Sequence, residues 1–255
     1  MSPSFLSLPR RGRKPRALGL THVLDKGLTP EAASALLGAV GDEVDVWKFG
    51  WGVAYIDPGL ARKLAYLREH EVTACLGGTL LEIAWSQDKA PECLAWAERV
   101  GFDAVEVSRG VAPMPPDDKR ELIKLASESF VVLAETGIKD PQSVLSADQW
   151  RDEIAQDLAA GATWVITEGR ESGTVGIYDS TGRPRLDIIE AAVQAAGLDR
   201  VLFEAPRKDQ QAWLINRYGH DVNLANIAPD DVLPLTTLRL GLRADTAALT
   251  IGWRR

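Results

Sequence analysis

The sequence predicts a single-domain α/β fold, the (β/α)8 TIM barrel. Three observations carry that expectation. The chain has 255 residues, close to the roughly 250 typical of this barrel. Short apolar runs alternate with amphipathic stretches along its whole length, the pattern of repeated βα units around a parallel sheet. No G-x-G-x-x-G turn follows the first apolar run, where an open doubly wound sheet usually carries one.

The elements follow in order. Strand-like runs are expected at residues 17–22, 44–49, 72–76, 104–107, 130–134, 163–167, 200–203 and 222–224. Helical periods separate them at 30–40, 58–70, 90–100, 116–128, 146–160, 186–196 and 208–218. Proline stands at or near several helix starts, a first-turn position where its missing N–H has no partner to lose. No linker and no internal repeat divides the chain.

Composition narrows the class. Hydrophobic residues make up 45% and charged residues 25% of the chain, far from collagen-like, disulfide-rich or disordered compositions. With 29 basic against 36 acidic residues the net charge is −7. That balance argues against general nucleic-acid binding, yet a local cluster of cations could still hold a small anion. No stretch approaches the roughly 18 apolar residues of a membrane span, and residues 1–16 lack the apolar core of a secretory signal. That first segment carries Arg10, Arg11, Arg13, Lys14 and Arg16. It is expected to be a solvated basic tail before a catalytic domain at 17–255, with a phosphate-gripping or subunit-bridging arm as the alternative. Cys75 and Cys93 lack metal-ligand spacing and are expected to be reduced thiols in a cytoplasmic protein.

In such a barrel, chemistry sits at the C-terminal ends of the strands and in the loops after them. Four successive predicted strands end there in Glu106, Glu135, Glu168 and Glu204. One strand-end carboxylate is commonly a structural partner for a Lys or a helix N-terminus. Four on one rim repel one another and call for cations, either a hard metal such as Mg²⁺ or interleaved Lys and Arg. Lys26, Lys48, Lys139, Arg170 and Lys208 come from that same rim. A ring of satisfied ion pairs that only braces the mouth is the alternative. Gly77-Gly78-Thr79 and Ser172-Gly173 offer backbone N–H groups at loop-to-helix junctions, where phosphate oxygens are well received. Arg239 and Arg243 add two guanidiniums, for an anion or for surface acids. His22, His70 and His220 have no zinc-ligand spacing. There is no Gly-x-Ser-x-Gly elbow and no P-loop.

Several of these segments are rare words shared with one family. They are Thr21 with Asp25-Lys26-Gly27, Lys48-Phe-Gly-Trp-Gly52, Gly77-Gly-Thr-Leu80 with Glu82, and Gly101-Phe102 leading to Glu106 and Ser108. Glu135 with Gly137 and Lys139-Asp140, Arg170-Glu-Ser-Gly173, and Phe203-Glu-Ala-Pro206 with Lys208 and Gln211 continue the series. Asn223-Leu-Ala-Asn-Ile227 and the stretch from Leu238 to Thr246 complete it. On these residues the chain, over about 20–246, resembles the phosphosulfolactate synthases of coenzyme M biosynthesis, a family that includes plant heat-stress-associated proteins.

The resemblance implies a (β/α)8 carbon–sulfur lyase with Mg²⁺ as cofactor. Its implied reaction is Michael-type addition of sulfite to phosphoenolpyruvate, then protonation at C2, giving (2R)-phospho-3-sulfolactate. Lys48 and Lys139 are the implied candidates for the general acid, with Glu106 and Glu135 beside them as catalytic residues and Glu168 and Glu204 at the metal. Lys26, Gly78, Thr79, Arg170, Ser172, Gly173, Lys208, Arg239 and Arg243 are the implied substrate ligands. Small-molecule substrates, no nucleic-acid or membrane partner, and a homo-oligomer are the expected associations. Arg109 stands where the family usually has an acid or Asn, which predicts tighter binding of an anion or acceptance of a different one. A same-scaffold lyase using another enol phosphate or nucleophile, and a non-catalytic stress-related member, are the alternatives.

Overall fold

Eight parallel strands pair in chain order and close, the last against the first. They are β1 (Thr21–Asp25), β2 (Val46–Phe49), β3 (Thr73–Leu76), β4 (Ala104–Val107), β5 (Val131–Thr136), β6 (Trp164–Thr167), β7 (Val201–Glu204) and β8 (Leu224–Ile227). The computed structural model describes residues 5–137 and 145–251. The helices are α1 (Pro30–Val40), α2 (Val53–Ile56), α3 (Leu60–Glu69), α4 (Gly78–Ser86) and α5 (Ala90–Val100). α6 (Pro116–Ser127), α7 (Ala147–Ala159), α8 (Leu186–Ala196), α9 (Lys208–Tyr218) and α10 (Val232–Arg239) follow. This is the (β/α)8 barrel that the alternation predicts. No helix among the described residues is long and apolar enough to cross a membrane.

Local chemistry accounts for the helix ends. Thr29 caps α1 by accepting from the Ala32 N–H, with Pro30 at the first helical position. Ser146 and Gln149 form a reciprocal capping box on α7. The strand alternation then sorts the apolar residues into two cores. Val46, Cys75, Ala104, Leu133, Ile166, Leu202 and Ala225, with Leu20 just before β1, form a small cluster of their own. Their strand neighbours, among them Trp47, Leu76, Val105, Val132, Val165 and Phe203, join the large cluster with the helices. The first set fills the barrel and the second sheathes it, as period-two side chains in a closed sheet must.

Besides α2, α4 and α10, which are not among the expected helices, the structure differs from the sequence reading at three places. β1 starts at Thr21 rather than at residue 17, because Gly19 turns with φ 73° and its N–H bonds to the Asp221 carbonyl. β8 runs from Leu224 to Ile227 instead of ending at 224, since ladder pairing with β7 begins only at Phe203↔Leu224. Residue 223 instead uses its side chain, accepting from the Leu20 N–H and donating to the Leu198 and Val201 carbonyls.

The third difference is the basic tail. Arg11 pairs with Glu43 at 2.5 Å and donates to the Gly19 carbonyl at 2.7 Å. Arg16 pairs with Asp45 at 2.8 Å, and Lys14 donates to the carbonyls of Gly41 and His70. These partners all precede strands, so the segment fastens to the N-terminal end of the barrel. The expectation of a solvated tail does not hold for Arg11, Lys14 and Arg16. Five positive charges in a short run read as solvated only when no acidic partners are in reach, and Glu43 and Asp45 reach them through tertiary contact.

Candidate active site

Lys48, Glu106, Glu135 and Glu204 each lie two residues beyond an inner-core member of the same strand, and Glu168 lies two beyond Ile166, just past the end of β6. Alternation therefore turns all five into the barrel, at its C-terminal end. They are nearly inaccessible, between 1% and 5% exposed, and they form the floor of a cavity of about 460 Å³. That size suits a small ligand. Thr79, Arg170, Ser172 and Val111 supply part of its walls.

Lys48 is the centre of the floor. Its Nζ donates to Glu106 Oε2 at 2.7 Å and stands 3.9 Å from Glu204 Oε1. Burial by itself would favour the neutral amine, but Glu106, Glu204 and Glu135 outweigh it and hold the Lys48 pKa above its ordinary value. Lys48 is therefore a permanent ammonium. Glu106 is also fixed from the other side, where its Oε1 accepts from the Gly78 N–H at 3.1 Å. A side chain at Gly78 would collide with Ser108 and stand 3.1 Å from Glu106 Oε1. Glycine is thus required here for close approach.

Glu204 accepts from the N–H groups of Gly169 (2.7 Å) and Arg170 (2.9 Å) on Oε2 and from the Asn226 side-chain amide on Oε1. Asn226 has φ 54°, which breaks the alternation of β8 and turns its amide inward; Asn tolerates this left-handed conformation better than most residues. Its N–H donates to Nδ1 of the fully buried His22 at 3.3 Å. Burial, then the nearby Lys48, pushes His22 well below its usual pKa, so the ring is neutral.

Burial raises the Glu204 carboxyl to about 7, with Lys48 opposing the shift and Glu135 and Glu106 adding to it. The sign of its linkage follows. The folded protein keeps this proton up to about pH 7, whereas the unfolded chain releases it near the ordinary 4.5. The stability it contributes is therefore full below pH 4.5 and lost as pH rises through about 7. Thermal unfolding of the wild type should fall between pH 5 and 8, and Glu204→Gln should flatten that fall. An unchanged slope in the variant would show that Glu204 does not titrate there.

The structure brings together Lys48, Gly78, Thr79, Glu106, Glu135, Glu168, Arg170, Ser172 and Glu204 around one cavity. Others expected beside them are elsewhere. Lys26 is half exposed and stands at the edge, paired at 3.0 Å with Glu171, which lines the cavity, whereas Lys208 pairs with Asp245 at 2.8 Å. Arg243 lies 4.0 Å from Asp245, outside the cavity. Gly173 turns with φ 62°; its N–H bonds to the Arg170 carbonyl and its own carbonyl takes the Gln210 amide, so no donor is left for a phosphate. Arg239 is at the opposite end of the barrel, wholly buried, donating to the carbonyls of His220, Val222 and Leu20. Its place in a motif next to Arg243 gave no sign of that. Arg109 is not a cavity residue either: it forms a bidentate pair with Glu153 of α7, which neutralises its charge. Lys139 lies outside the described residues.

Sequence reasoning places Asn226 at the end of the eighth strand, within Asn223-Leu-Ala-Asn-Ile227, but assigns it no role in the site. The one signal was an asparagine at the end of a strand, where left-handed backbone is tolerated.

The profile of the family described as "(2R)-phospho-3-sulfolactate synthase (ComA)" matches residues 9–245. The chain belongs to this family. It is 42% identical to the phosphosulfolactate synthase of Methanothermobacter thermautotrophicus, over 95% of this chain and 96% of that one. With the phosphosulfolactate synthase of Bacillus subtilis it shares 39% identity over 96% and 99% of the two chains. Among solved structures, a 3-hexulose-6-phosphate synthase superposes with a TM-score of 0.53 at 19% identity, covering 86% of this chain and 98% of that one. That likeness shows the barrel alone. The phosphosulfolactate synthase family thus supplies an enzymatic context for the floor of carboxylates around Lys48.

Proposed function

We propose that the protein is a phosphosulfolactate synthase, a carbon–sulfur lyase that adds sulfite to phosphoenolpyruvate to form (2R)-phospho-3-sulfolactate. The observation that carries this reading is the buried ammonium of Lys48, fixed among carboxylates at the floor of a cavity of small-acid size, in a chain of this family. The sulfur lone pair bonds to the methylene carbon of phosphoenolpyruvate. The π pair of the C2–C3 double bond moves toward the carboxylate, C2 then takes a proton, and the carboxylate re-forms. The phosphate ester stays intact and nothing leaves.

Negative charge grows on the substrate carboxylate during the first step. A preorganised cation in a dry site stabilises that state more than the ground state. Lys48 fits this role, because its neighbours hold its proton firmly. The proton for C2 is assigned to Lys139 in preference to Lys48 for the same reason. Arg170, Ser172 and Thr79 line the walls and suit the phosphate and sulfonate oxygens. Both reactants are polyanions, so the floor's own carboxylates need a further cation.

Mg²⁺ suits the donor set. Glu135 and Glu168 present hard carboxylate oxygens to the cavity from adjacent strands. Among the described residues no three His, Cys, Asp or Glu side chains converge as metal ligands. That accords with an ion that usually takes one or two carboxylates and completes its shell with substrate and water. Glu168, with Glu135, would hold it, and it would supply charge neutralisation beside the substrate carboxylate. Glu204, whose oxygens receive three N–H groups, stands on the same floor and could add a further ligand.

The test is ³¹P NMR of phosphoenolpyruvate with purified protein, Mg²⁺ and sulfite. A new phosphate-ester resonance is expected, absent without sulfite and suppressed by EDTA. An unchanged spectrum from folded protein would overturn the assignment and direct the search to other enol phosphates and nucleophiles.

A further inference from the structure

The loop between β4 and α6 forms an anion nest, and the chain fills it with its own carboxylate. Glu82 lies one turn into α4 and is 1% exposed. Its Oε1 accepts from the Ser108 hydroxyl and from the Gly110 N–H at 3.1 Å. Its Oε2 accepts from the N–H groups of Val111 (2.7 Å) and Ala112 (2.8 Å). Consecutive backbone N–H groups converging on one oxyanion are how loops commonly grip phosphate and similar ions.

The same loop is fastened on its other side. Arg109 donates to Glu153 through Nε at 3.0 Å and Nη2 at 2.6 Å. Between these anchors Val111 faces the cavity as part of its wall. Ser108 stands two residues after Glu106, which takes the Gly78 N–H at the start of α4 on one oxygen and Lys48 on the other. The helix that bears Glu82 thus touches the end of β4 twice, at Glu106 through its first residue and at Ser108 through Glu82 itself.

We propose that Glu82 is a positioning residue for the reaction: by occupying the nest of Ser108, Gly110, Val111 and Ala112, it holds the β4–α6 loop as a fixed wall and keeps Glu106 aligned with Lys48. The kinetic half of this inference rests on the reaction proposed above. The nest does not, so the experiment reads both.

Glu82→Ala removes the atoms of one acetate ion. With the fold retained by circular dichroism, kcat should fall about 100-fold, the scale on which small misplacements of catalytic groups act. Trypsin should cut the native variant after Arg109, a site that the Glu153 pair and the Glu82 nest protect in the wild type. Added acetate should restore both protection and turnover, which a merely destabilised variant would not show. Ser108→Ala removes one of the four donors and serves where Glu82→Ala fails to fold; it should show the same two changes at smaller size. A folded Glu82→Ala that keeps its protection, or cleavage that acetate does not reverse, would overturn the nest. Protection lost and regained while kcat stays at the wild-type value would overturn the positioning role. A wild type inert toward sulfite and phosphoenolpyruvate would instead sink the reaction assignment, and the protease arm would then decide the nest by itself.

Discussion

Lys48→Met should abolish most of the turnover, lowering kcat by about 10²–10³-fold, the usual cost of removing one preorganised charge-stabilising group. The side chain is close in volume, so the loss would be of charge rather than shape. Glu106 would lose its 2.7 Å partner and Glu204 its nearest cation. A buried carboxylate left unpaired costs about 3–5 kcal/mol, unless it takes up a proton. The variant should therefore be less stable than the wild type at pH 8 and recover much of the difference at pH 5, since a raised carboxyl pKa gives stability that is present at low pH and lost as pH rises. Steady-state kinetics and thermal unfolding at the two pH values check both parts. Near-normal turnover would remove Lys48 from the mechanism, and a pH-independent deficit would show that the carboxylates do not compensate by protonation.

Arg239→Met should do the reverse, with a large stability loss and no specific effect on substrate. The guanidinium is wholly buried and donates to three carbonyls near the N-terminal ends of β1 and β8, at 2.6, 2.7 and 3.1 Å. Burial, then the neighbouring Arg11, lowers its pKa to about 9, so it is still charged at neutral pH. Methionine would leave the His220 and Val222 carbonyls without this donor, while the Leu20 carbonyl keeps the Leu224 N–H; each lost partner costs about 1–3 kcal/mol. A loss of about 3 kcal/mol or more, or ~6–12 °C in Tm for a chain of this size, is expected. KM for phosphoenolpyruvate at 20 °C should stay at the wild-type value. A raised KM with unchanged Tm would return Arg239 to the substrate site, where its sequence motif suggests it belongs.

The two residues mark the limit of sequence reading. Lys48 and the four glutamates were legible because each ends a strand, and a barrel places its strand ends together whatever the details of packing. Arg239 was not, since nothing in a run of Arg-Leu-Gly-Leu-Arg says which end of the barrel it meets. The same holds for Arg109. As an added positive charge beside Ser108 it suggests an altered anion site, yet Glu153, 44 positions further on, takes that charge up. Lys26 and Lys208 come from the correct rim but are paired there with Glu171 and Asp245, and rim membership alone does not fix those partners. The arm of Arg11, Lys14 and Arg16 read as solvated for an equivalent reason: its acidic partners Glu43 and Asp45 are close only after the chain folds.

The sequence by itself determined the fold class, the order of its units and the strand ends at which chemistry gathers. These depend on local periodicity, which repeats every two residues in a strand and every 3.6 in a helix. Tertiary structure alone decided which charges face the cavity and which are already spent on a partner. It also turned Asn226 inward and aimed the carboxylate of Glu82 at a loop nearly thirty residues away. A side chain's charge is written in its identity, but its direction and its partner depend on residues that only the closed barrel brings within hydrogen-bonding distance.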